Sequence, residues 1–187
     1  MNTFARTLLA MALGFGVMAH AGATTVNLTA DGQWHEFDVD DFSALSGGLE
    51  WIDYADGSAL SFQINNAAPM LLTVVDAGFA GDVFQVLDGA TLLGTTSAAT
   101  NNYPVSLGLD FDAAQANPSY SRATYLLAAG THTITGLLSS SAVSDFGPIN
   151  ATVGAVMLQA VPEASSYAML LAGLGMLSFV ARRRLAK

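Results

Sequence analysis

The chain has 187 residues, no cysteine, 52 % hydrophobic residues and a formal net charge of −9. Without cysteine it has no disulfides, no thiol catalysis and no zinc–thiolate site. Acids outnumber bases by 15 to 6, and all but one of the bases lie near the two ends, which excludes the cationic phosphate contacts that nucleic-acid binding requires.

Arg6 is the only charged residue among the first thirty. Residues 8–19 are an apolar run too short for a membrane span, and Ala19-His20-Ala21 and Ala21-Gly22-Ala23 follow it. Both triplets fit the small-x-small rule of signal cleavage. Residues 1–23 are therefore expected to be a signal peptide, cut after Ala23 or after Ala21.

Residues 24–160 are long enough for one domain with its own core. They hold fourteen acids, twelve of them Asp, and one strong base, Arg122, for a net charge near −13. Short runs rich in Val, Ile, Leu, Thr and aromatics recur between Gly, Asp and Asn turns. They predict strands at 25–28, 33–39, 49–54, 60–64, 70–76, 82–87, 91–96, 122–127, 131–138 and 152–159. Asp88-Gly89 marks a hairpin turn. A short helix is expected over 112–117, ending before Pro118, and residues 139–148 read as a Ser-rich loop. So many short strands with so little helix predict an all-β fold, an antiparallel β-sandwich of jelly-roll or CUB-like type.

Aspartate is the residue of turns and of oxygen-ligand loops. Calcium takes six to eight oxygens at about 2.3–2.6 Å, which several converging carboxylates can supply. One candidate set is the cluster Glu36, Asp38, Asp40 and Asp41, followed by Asp53 and Asp56-Gly57. It lacks the Gly and Glu offsets of an EF-hand. A second set is Asp76, which leaves one strand, and Asp82, which enters the next. Asp82, Val86, Asp88-Gly89 and Leu93-Gly94 resemble the CUB sandwich pattern, although CUB domains usually carry disulfides. That resemblance implies calcium held by Asp82 with Asp76 or Glu50. The candidate calcium ligands are thus Asp38, Asp40, Asp76 and Asp82; turn-capping on a solvated face is the other reading.

Catalytic signals are poor. His35 and His132 are the only histidines after the signal region, and there is no Gly-x-Ser-x-Gly elbow. Trp34, Trp51, Tyr54, Tyr103 and Tyr120 could stack sugars, but Trp34 and Trp51 read more simply as core.

The C-terminal segment, 161–187, has three parts. Pro162-Glu163 comes first, an uncharged stretch over 167–181 follows, and Arg182-Arg183-Arg184 with Lys187 ends the chain. As a helix 167–181 spans roughly 22 Å, and a start at Pro162 extends it to roughly 30 Å, the hydrocarbon thickness of a bilayer. Proline suits a first helical turn, Glu163 faces the positive end of the helix dipole, and the basic cluster stays cytoplasmic. One C-terminal transmembrane helix is expected. The three parts in this order resemble the PEP-CTERM sorting domain of Gram-negative bacteria, with Ala164 where the family's Pro-Glu-Pro motif has its second proline. The resemblance implies recognition by an exosortase, a membrane cysteine protease, after transient residence in the inner membrane. It also implies a final place at the cell surface or in the extracellular matrix, associated with exopolysaccharide and biofilm. The expected function is a non-enzymatic surface or matrix protein; the alternative is a calcium-dependent carbohydrate-binding or adhesion module.

Overall fold

Branched and aromatic residues favour the pleated, half-buried surface of a sheet, and the expected strands form with small shifts at their ends. The computed structural model describes residues 22–161 and 169–177. In chain order the elements are β1 (Thr24–Leu28), β2 (Trp34–Asp40), β3 (Leu60–Asn66), β4 (Met70–Asp76), β5 (Val83–Asp88), β6 (Thr91–Thr95), α1 (Phe111–Ala116), β7 (Arg122–Leu127), β8 (Gly130–Ser140), β9 (Val143–Ser144), β10 (Gly147–Pro148) and β11 (Ala151–Ala160). One sheet has the order β1-β3-β8-β5-β6 and the other β2-β11-β4-β7, with β9 and β10 forming a small ribbon. All pairings are antiparallel except that of β1 with β3. The two large sheets make a sandwich, with Phe37, Val74 and Leu158 of one packed against Phe62, Phe84 and Ile134 of the other.

Trp51 sits at the centre of this interior. Its ring stacks on Phe37 at 3.9 Å between centroids and meets Phe62 and Phe84 edge-on at 6.1 and 6.4 Å. Such pairs add about 0.5–1.5 kcal/mol each beyond the area they bury. The indole lies over Gly136 of β8, where a methyl group would collide with the ring. The close approach, rather than any unusual backbone angle, is what requires glycine there.

The expected strand at 49–54 is a correction. Trp51 N–H donates to Gly136 O at 3.0 Å and Leu138 N–H to Leu49 O at 2.8 Å, so this stretch pairs with the five-stranded sheet. One residue later Ile52 exchanges hydrogen bonds of 2.8 and 3.2 Å with Asp38 in the four-stranded sheet. The segment crosses between sheets and forms only isolated bridges. A second correction concerns the Ser-rich loop. β8 continues to Ser140, whose neighbour Ser139 donates to Val83 O at 2.9 Å, and β9 is clamped by a pair of hydrogen bonds to Asn101 of 2.9 and 3.0 Å.

Strand β4 shows no polar alternation because both its faces are covered. Leu72 and Val74 point into the sandwich, and Val75 packs outward with Ala114 of α1 and Tyr120. The helix starts one residue earlier than expected, where Asp110 Oδ1 accepts the Ala113 N–H at 3.0 Å.

In the C-terminal segment, residues 169–177 are helical and leave Met169, Leu170, Leu171 and Leu174 exposed. Among the described residues no helix is long and apolar enough to cross a membrane. The remainder of the expected span, Pro162 and Glu163, Arg182–Arg184, and the signal segment with Ala21 lie outside the described residues; Ala23 is exposed just before β1.

Candidate functional site

Strand periodicity sorts the expected calcium ligands into two places. On β2, Phe37 and Val39 are buried while Glu36, Asp38 and Asp40 point the other way. Asp38 lines a shallow cavity of about 180 Å³ with Glu36, Asp53 and Tyr54. Burial first, then repulsion from Glu36, Asp53 and Asp40, pushes the Asp38 carboxyl up to about 6. Asp40 is committed locally: it accepts Ser43 Oγ–H at 2.6 Å and Phe42 N–H at 3.0 Å, which lowers its pKa. These two residues act as a solvated acidic face and a turn cap. The four candidate ligands therefore do not form one site, because Asp38 and Asp40 lie on the outer face of the sheet.

Asp76 and Asp82 point inward. Asp76 lies opposite Gly154, which in turn lies opposite Phe37, so its side chain shares the interior face with Phe37. Asp76 and Asp82 are 0 % and 1 % exposed, the two buried carboxylates of the described residues. Asp82 N–H donates to Asp76 Oδ2 at 3.3 Å, and Ala142 N–H donates to Asp82 Oδ1 at 2.8 Å. Burial, reinforced by the charge of Asp82, pushes Asp76 up to about 9; burial also raises Asp82. Among the described residues no three His, Cys, Asp or Glu side chains converge as metal ligands, so a cation there draws on two carboxylates at most.

His132 on β8 has a carboxylate partner. Its Nδ1 lies 2.7 Å from Asp88 Oδ2 and its Nε2 lies 2.9 Å from Ala128 O. Both partners are acceptors, so both ring nitrogens donate only when the imidazole is protonated. The Asp88 hydrogen bond accordingly raises the His132 pKa. Asp88 Oδ1 also accepts Thr133 N–H at 3.0 Å, tying the β5–β6 turn to β8. The sequence signal was Asp88-Gly89 beside a strand histidine, but register alone brings them together.

The aromatic residues do not gather into one platform. Trp51 is core; Trp34 is half-buried and donates from Nε1 to Asp112 Oδ1 at 2.8 Å; Tyr120 is buried, its hydroxyl bridging Gly78 O at 2.9 Å and Leu107 N at 3.1 Å. Tyr54 and Tyr103 are exposed. Tyr103 instead meets Phe79 at 5.0 Å.

Residues 160–184 match the PEP-CTERM protein-sorting motif. The motif implies export, membrane anchoring before processing, and an exosortase as the processing partner. No curated protein matches the chain. Among solved structures, the sandwich is similar to the crystal structure of the pre-peptidase C-terminal domain of collagenase from Bacillus anthracis, at 7 % identity and a TM-score of 0.40, covering 74 % of this chain and 97 % of that one.

Proposed function

We propose that this PEP-CTERM protein is held in the inner membrane by its tail, cut near Pro162-Glu163, and displayed at the cell surface or in the exopolysaccharide matrix as a non-enzymatic β-sandwich. The observation that carries this reading is the match of residues 160–184 to the sorting motif. The charge distribution supports it. Cutting the chain at both ends leaves residues 24–160 with fourteen acids and one strong base, a surface that stays hydrated and repels its own copies. A non-enzymatic role is supported by His132, whose ring is engaged by Asp88 and a backbone carbonyl rather than by a serine.

The test compares native cells with cells lacking the exosortase. Fractionation should find the protein at the surface or with the exopolysaccharide in the first, and retained in the membrane at full length in the second. The same distribution in both strains overturns the reading.

A further inference from the structure

We propose that Asp76 and Asp82 form a buried binding site for one calcium-class divalent cation in the interior of the sandwich. The loop 76–82 carries both carboxylates. It closes against Ala142 through Gly81, which has φ 138° and lies so near Ala142 that a side chain there would crowd the Ala142 backbone. That approach brings Ala142 N–H onto Asp82 Oδ1 at 2.8 Å, while Asp82 N–H holds Asp76 Oδ2 at 3.3 Å. Each carboxylate is thereby anchored through one oxygen. The other oxygens, Asp76 Oδ1 and Asp82 Oδ2, are buried and have no hydrogen-bond partner. Buried polar atoms are nearly always paired, and two adjoining buried carboxylates cannot both ionise without a counter-charge.

Among the described residues no side chain supplies one. Arg122, the one strong base in residues 24–160, donates from Nη1 to Asn117 O at 3.1 Å, and His132 belongs to Asp88. Two hard neutral oxygens stand beside Asp82. They are the Ser141 and Thr152 hydroxyls, which hydrogen-bond toward Asp82 and oppose the effect of its burial, and which also approach Ala142 O at 3.1 Å and Val153 O at 3.5 Å. An all-oxygen set of carboxylates and hydroxyls suits calcium; softer metals prefer nitrogen or sulfur, and magnesium keeps a larger water shell than a dry interior admits.

The test uses the full chain in non-ionic detergent, stripped with a chelator and titrated calorimetrically with calcium chloride at pH 8. One equivalent should bind. Saturation should raise the melting temperature by more than about 5 °C. Asp76→Asn and Asp82→Asn should abolish the binding and the shift, whereas Asp38→Asn should retain both. Absence of binding by the wild type, or a response surviving in both interior variants, overturns the proposal. If neither interior variant folds, the stoichiometry of the wild type and its retention by Asp38→Asn decide.

Discussion

The sandwich and the C-terminal tail differ in how their sequence acts. The sandwich carries fourteen acids and one strong base, and its meaning lies in pairings distant in sequence, such as Trp51 over Gly136. The tail carries one acid and four bases, all in linear order, and its meaning is local: Pro162-Glu163, an apolar stretch, Arg182-Arg183-Arg184. A contiguous signal can be read by a partner without the domain in front of it. The two regions should therefore be separable by mutation.

The largest effect expected is on sorting. Replacing Pro162 and Glu163 together by alanine should remove nearly all of the processed form from the surface fraction, while thermal unfolding of the sandwich stays unchanged. Loss of folding in that variant would break the separation from one side. Gly136→Ala tests it from the other. A methyl group against the Trp51 ring forces displacement of the largest core side chain, at a cost of about 3 kcal/mol in urea unfolding. The protein that survives should still be cut at the same place.

Smaller effects sharpen the picture of the sandwich. The Asp38 carboxyl sits at about 6 instead of 3.8, so the native state holds its proton longer and stability falls as pH rises between those values. Asp38→Asn removes that loss. It should stabilise by about 1 kcal/mol at pH 7.5, a figure reduced for solvent screening of a half-buried group, and by nothing below pH 4. Asp88→Asn works in the opposite sense. The Asp88 hydrogen bond raises His132, so its contribution is complete below the ordinary histidine value of 6.5 and declines as pH rises above it. The variant should lose about 1 kcal/mol at pH 6 and less at pH 8.5, measured by chemical denaturation.

How much of this was legible in the sequence follows from the same contrast. Most strands could be read because β2, with Phe37 and Val39 inward and Asp38 and Asp40 outward, alternates as a half-buried strand must. The same alternation already separated Asp38 and Asp40 from any interior site. The step of Leu49–Ile52 from one sheet to the other could not be read, because apolar residues with two different pairing partners look like one strand. Nor could the inward aim of Asp76. In β4 both faces are apolar, so periodicity does not say which way its last residue points, and only the register with Gly154 and Phe37 does. The tail motif needed no register, which is why it was the most readable part of the chain.

The central claim is that the tail is a sorting signal removed from an exported sandwich. Intact-mass spectrometry of the protein recovered from surface and membrane fractions of its native cells tests this most directly. The account predicts a surface species that begins near Ala23 or Ala21 and ends within 162–166. A protein that ends at Lys187 in every fraction would contradict it.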